Sequence, residues 1–379
     1  MPPTASRRDL RLDFFRGLAL WFIFIDHVPS SVIGNLTFRN FGFSDATEIF
    51  VFISGYTAAI VYGASMRRNG FVYMLFQVLK RSWQLYAAHI LLFVFFIAQI
   101  TWVSNRFNNA SFIEELNIMQ FHDDPQESIV RALILHYRPV NLDVLPLYMA
   151  LLAGFPFCIW LMAKSRALCL LLSLSLWVCV QVFEWALPVY ESGDTWLFNP
   201  LGWQLLFVIG ALCASVRDED PQWLRWRPWI GWTAAAWLLF ALFITISWKY
   251  PPLNDWVEVM VGPWLYPIDK SNLGIARLLH FLAVAYLLVR FVPENAPVLT
   301  WPIAHPIIRC GQHALYIFCV SISLSFVAHF VLVQFGRGLA MQMAVMVGGL
   351  ALMSGLAYLL HWLGKPGRGG SPHPAHASQ

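Results

Sequence analysis

Charge is what this sequence has least of. Only 12% of its 379 residues are Asp, Glu, Lys or Arg, against about 25% in a soluble globular chain. That shortage, set beside 58% hydrophobic residues, excludes a soluble domain and identifies an integral membrane protein. Its formal charge of +4 is modest and sits in the links between apolar runs, so it gives no argument for nucleic acid. Cysteine is scarce too. The six (Cys158, Cys169, Cys179, Cys213, Cys310, Cys319) lie in or beside apolar runs without metal-ligand spacing, so they read as small packing residues and no metal site is expected. The first apolar run lacks a small-residue cleavage site and is expected to be retained as a signal anchor. No internal repeat is visible, which weighs against a repeat-built transporter.

What is present is apolar length. Several runs exceed the roughly 20 residues that span a hydrocarbon core, and 18 Trp with 12 Tyr suit aromatic belts at both interfaces. The expected fold is all-α: a polytopic membrane bundle of about ten transmembrane helices in one domain, 1–363. The spans fall near 13–34, 46–64, 83–103, 143–163, 167–188, 199–216, 229–248, 274–292, 312–334 and 339–362. Residues 65–82 form a basic link and 104–141 the longest polar segment. The tail 364–379 is rich in Gly, Pro and His and is expected to be disordered. With the N-terminus in the cytoplasm, the inner side takes about twice as many loop and tail cations as the outer, the positive-inside arrangement. Both termini are then expected to be cytoplasmic.

The first span carries Asp13, Arg16, Asp26 and His27. Ionisable groups are costly in a bilayer, so each is a candidate for function. Ten residues separate Arg16 from His27, which puts both on one helical stripe, roughly 16 Å apart along the axis. Asp13, three residues before Arg16, can pair with it. His27 has the chemistry of a general base, or it is a buried packing histidine. Asp26 points about 100° away from it. Arg16 either binds an anion or snorkels to the interface beside Asp13.

Other polar residues fall at the outer ends of later spans. Glu48 opens the second span beside Asp45. Asn141 and Asp143 stand at a helix start in NLDVLPLY, where capping is the simpler role for Asn141. FNPLGWQLLFVIGA carries Trp203 and Gln204, and DKSNLGIARLLHFLAVAYL carries Asp269, Lys270, Asn272, Arg277 and His280. Glu48, Asp143, Trp203, Gln204, Asp269, Asn272, Arg277 and His280 together read as a sugar-binding lining of charges, amides and aromatic rings. On the inner side, Arg67, Arg68, Lys80 and Arg81 are either topology signals or a phosphate-binding mouth.

RLDFFRGLALWFIFIDH, SDATEIFVFISGY, NLDVLPLY, FNPLGWQLLFVIGA, DKSNLGIARLLHFLAVAYL and GQHALYIFCVSISLSF resemble, in order, the OpgC family of bacterial inner-membrane proteins, over nearly the whole chain. The resemblance implies succinylation of osmoregulated periplasmic glucans. OpgC-type proteins are similar to the wider superfamily of transmembrane acyltransferases, marked by an arginine and a histidine in the first span with ten residues between them; Arg16 and His27 match that mark. The superfamily's basic motif is matched loosely by Lys80-Arg81.

The expected activity is therefore O-acyl transfer, with His27, Arg16, Asp13 and Asp26 as the catalytic set and Arg67, Arg68, Lys80 and Arg81 at the donor. Acyl-CoA (succinyl-CoA) is the implied co-substrate from the cytoplasm and a glucan the acceptor in the periplasm, with no permanently bound cofactor. The alternatives are a transporter for an anionic sugar or organic acid, and a non-catalytic membrane partner of a glucan synthase.

Overall fold

A computed structural model describes residues 9–29, 31–189, 195–217 and 226–364. The expected disordered tail lies, but for Gly364, outside the described residues. The described chain is helical throughout, with a lone antiparallel bridge between Pro188 and Thr195. In order the helices are α1 (Leu10–Asp26), α2 (Ala46–Phe107), α3 (Ser111–Glu115), α4 (Met119–Asp123), α5 (Pro125–Leu133), α6 (Val144–Lys164), α7 (Arg166–Phe183), α8 (Pro200–Arg217) and α9 (Pro228–Ser247). Then follow α10 (Pro251–Met260), α11 (Gly262–Leu265), α12 (Ile275–Phe291), α13 (Ala304–Gln312), α14 (Ala314–Phe335) and α15 (Leu339–Leu363).

Six helices, α2, α6, α7, α9, α14 and α15, are long and apolar enough to cross a membrane. α2 differs most from the expected pattern. Helix fills the basic stretch 65–82 on both sides of a break at Gly70, with Met74 and Val78 buried among its charges. Its 62 residues form two limbs, 46–69 and 71–107, of about 36 Å and about 56 Å, each long enough to cross a hydrocarbon core. Gly70 divides it: φ 83° and ψ 173° are non-helical angles that glycine adopts without steric cost. α1 is shorter than the expected first span, ending at Asp26. Pro29 disfavours helical angles just before it, and 32–36 and 38–40 form 3-10 turns instead.

Small residues set the closest helix contacts, the usual device where apolar burial alone does not draw helices together in lipid. A Cβ at Gly55 of α2 would strike the Phe207 carbonyl of α8, and one at Gly210 of α8 would strike the Phe52 carbonyl of α2. The run IFVFISGY thus owes its glycine to a helix crossing. α1 and α13 meet the same way, Gly17 against the Ile307 carbonyl and Gly311 against that of Asp13. Large apolar side chains such as Leu91, Trp232, Leu239 and Val347 remain exposed on the outside of the bundle, where lipid would cover them.

Candidate active site

The helices place five chain ends at one side of the bundle. α1 finishes there at Asp26 and His27, α2 starts after Asp45, α6 after Asp143, α8 after Asn199 and α12 after Gly274. The ends of α1, α2 and α6, with residues from 117–141 and 189–198 and Lys270, line a cavity of about 450 Å³, within the span typical of small-molecule sites, about 300–1,000 Å³. Its polar wall holds His27 and three carboxylates, Asp26, Asp45 and Asp143, with three cations, Arg39, Arg138 and Lys270.

Each carboxylate has a cation. Arg39 Nε lies 3.2 Å from Asp26, Lys270 Nζ 2.7 Å from Asp45, and Arg138 Nε 3.4 Å from Asp143. The Thr37 hydroxyl also donates to Asp26, at 2.5 Å. Arg138 stacks over the Trp196 ring at 4.1 Å. Burial pulls its guanidinium below the usual value, and Asp143 beside it opposes that.

His27 is half-buried in this wall, at the C-cap of α1. Its Nδ1 is 2.5 Å from the Ile23 carbonyl oxygen, one turn back. A carbonyl only accepts, so Nδ1 carries the proton and Nε2 keeps its lone pair. The ring is therefore oriented by backbone, and Asp26, turned toward Thr37 and Arg39, is not its partner.

The other candidates are distributed as follows. Asp13 and Arg16 pair at 3.9 Å, at the far end of α1 from His27. Arg16 also donates to the Thr57 hydroxyl at 3.0 Å, and Gln312 to Asp13 at 3.4 Å. Glu48 and Arg277 are buried behind the cavity. The Glu48 side chain accepts from the Asp45 amide at 2.8 Å, completing a capping box at the start of α2, while Arg277 bridges Glu48 and Asp45.

Trp203, Gln204, Asp269, Asn272 and His280 also lie outside the lining and hold other residues in place. Trp203 is fully buried and donates its indole N–H to the carbonyls of Lys270 and Ser271, both at 3.1 Å. Gln204 ties α8 to Ser173 of α7. Asp269 accepts from the Ser271 amide and the Asn272 side chain. His280 meets the Ser44 hydroxyl at 2.7 Å and packs where a Cβ at Gly42 would strike its ring. Arg67, Arg68 and Lys80 are exposed on either side of the Gly70 break, whereas Arg81 is half-buried and interacts with Gln84 and the Tyr148 hydroxyl.

A family model described as OpgC protein matches residues 8–365. This chain belongs to the OpgC family. No curated protein and no solved structure matches it. Within this OpgC chain the cavity gathers Asp26, His27 and Asp143 of the expected site residues, with Asp45, Asn141 and Lys270, which the sequence places beside them at the outer ends of spans. It adds Arg39 and Arg138 from the links between helices. Those two carry no local signal, because a charge in a link is ordinary.

Proposed function

We propose that this protein is a membrane-embedded O-acyltransferase that moves a succinyl group from cytoplasmic succinyl-CoA to a hydroxyl of a periplasmic glucan. In this reading the bundle crosses a bacterial inner membrane ten times, through α1, the two limbs of α2, α6, α7, α8, α9, α12, α14 and α15. Both termini are cytoplasmic and the cavity opens to the periplasm. Membership of the OpgC family supports the reaction class.

The observation that carries the reading is the His27–Ile23 hydrogen bond. It leaves Nε2 as a bare acceptor in a polar cavity, the state a general base needs. Nε2 takes the proton of the sugar hydroxyl as its oxygen attacks the thioester carbonyl carbon. The resulting imidazolium returns that proton to the thiolate as the tetrahedral intermediate collapses. General-base help of this kind contributes about 10²–10⁴-fold. Asp26, Asp45 and Asp143 offer acceptors to other sugar hydroxyls. Because three carboxylates meet three cations there, the wall lacks the surplus positive charge that a carrier of anions would use, so it suits a neutral polyol better.

The test is acyl transfer by purified protein given labelled succinyl-CoA and unsubstituted glucan. His27→Ala and His27→Gln should each lose at least about 10²-fold in kcat/KM. Residual transfer above about a tenth of wild type in both variants, at equal amounts of folded protein, removes His27 as the base. Accumulation of glucan or succinate in sealed vesicles without acylation favours a transporter.

A further inference from the structure

Acyl transfer through a tetrahedral intermediate needs a donor for the oxyanion as well as a base. Three cations line the cavity, and they are held differently. Arg138 is committed on two sides, its face over Trp196 and its Nε to Asp143, with a side chain only 3% exposed. Arg39, 48% exposed, pairs with Asp26 at 3.2 Å from the short 3-10 turn 38–40. Lys270 is 41% exposed, pairs with Asp45 at 2.7 Å and has its Nζ over the Phe198 ring, 5.3 Å from the centroid. An ammonium has three N–H donors. Lys270 and His27 both line the cavity.

The backbone under Lys270 is unusually well fixed for a link between helices. Four successive carbonyls, of residues 270 to 273, accept side-chain N–H groups from α7 and α8. Trp203 serves Lys270 and Ser271, Gln181 serves Asn272 at 2.9 Å, and Trp177 serves Leu273 at 3.0 Å. Asp269 caps the same turn through the Ser271 amide at 2.7 Å. Asp45, the counter-ion of Lys270, is itself shared with Arg277 at 3.1 Å. A flexible side chain is thus displayed from a rigid platform toward a cavity that also holds the His27 ring. Donors preorganised at the place where charge develops make such stabilisation effective.

We propose that Lys270 is the oxyanion donor of this site, a catalytic residue facing His27 across the cavity; this rests on the acyl-transfer reading above. As the sugar oxygen bonds to the thioester carbon and His27 Nε2 takes the hydroxyl proton, the carbonyl π pair moves onto oxygen. Lys270 Nζ–H donates to that oxygen without transferring its proton. The pair returns on collapse, the C–S bond breaks, and His27 protonates the departing thiolate. Ester and free thiol are the products.

The experiment measures kcat and glucan KM for wild type, Lys270→Met, Lys270→Arg, Lys270→Ala and His27→Ala in purified full-length protein. Lys270→Met should lower kcat about 10²–10³-fold, with glucan KM changed less than threefold. Lys270→Arg should retain more activity than Met, and added ethylammonium should raise Lys270→Ala at least tenfold. Recovery by a free alkylamine reports the missing ammonium and would not follow from a role in folding. A Lys270→Met kcat within threefold of wild type overturns the assignment. So does a loss carried by KM, or one that ethylammonium leaves unchanged. If wild type itself shows no transfer, or His27→Ala equals wild type, the underlying reading fails. Active wild type, inactive His27→Ala and active Lys270→Met sink the Lys270 assignment alone.

Discussion

Arg277 of α12 donates from Nε to Glu48 of α2 at 2.8 Å, with Nη2 in ion-pair contact with the same carboxylate at 2.6 Å, inside the bundle. Arg277 Nη2 also reaches Asp45 at 3.1 Å, so one guanidinium joins α12 to the capping box that starts α2. Removing one member of a buried ion pair leaves the other charge uncompensated, at a cost of about 3–5 kcal/mol. Arg277→Met should therefore lower the thermal unfolding midpoint in detergent markedly. Arg277→Met combined with Glu48→Leu should recover part of that loss, because the stranded carboxylate is gone. A double variant no more stable than Arg277→Met argues that the pair is not coupled in this way.

Gly17 and Gly311 set the spacing of α1 and α13. A Cβ on either would run into a carbonyl of the opposite helix, and backbone cannot rotate away as a flexible side chain can. Overpacking of this kind costs about 1–3 kcal/mol. Gly311→Ala should reduce the unfolding midpoint and the yield of folded protein. Gly348→Ala, at an open position of α15, should be nearly neutral. Equal midpoints for the two variants would falsify the close approach.

The membrane class and most helices are legible in the sequence because apolar length is a local property. Asp26, His27 and Asp143 stand out for the same reason, as ionisable groups at the margins of apolar runs. α2 is harder to read. Arg67, Arg68, Lys80 and Arg81 look like a loop, yet the break is confined to Gly70, and helix resumes after it with Met74 and Val78 buried. The nine-residue α13 is too short to register as a span. Trp203, Asp269 and Asn272 have the composition of a sugar-binding wall, but tertiary folding turns them to the backbone beneath Lys270. Lys270 is visible in the sequence as a charge beside a span, but nothing local tells its role. Its partner Asp45 and the α7 and α8 groups under its loop come from distant parts of the chain.

The membrane orientation rests on the excess of loop cations on one side. A reporter fused after Gly364 should register in the cytoplasm, and one inserted near Asn117, which lines the cavity, in the periplasm. A periplasmic signal at Gly364 reverses the orientation and with it the side from which each substrate enters.

Arg81 differs from the basic residues around it in being half-buried and in interacting with the Tyr148 hydroxyl, whereas Arg67, Arg68 and Lys80 face outward beside the Gly70 break. Exposed charges are screened and hold a ligand weakly, while a charge-assisted hydrogen bond in a sheltered site contributes about 1.5–3 kcal/mol. If these cations receive the phosphates of acyl-CoA, Arg81→Ala should raise the donor KM by about tenfold or more. Glucan KM should stay within about twofold, and Arg67→Ala should change the donor KM far less. Initial rates over a donor series at saturating glucan measure this directly. An unchanged donor KM in Arg81→Ala leaves the basic stretch as an orientation signal and moves donor recognition elsewhere on the inner side. A rise shared equally by all four residues points instead to a diffuse field that gathers the donor without a specific contact.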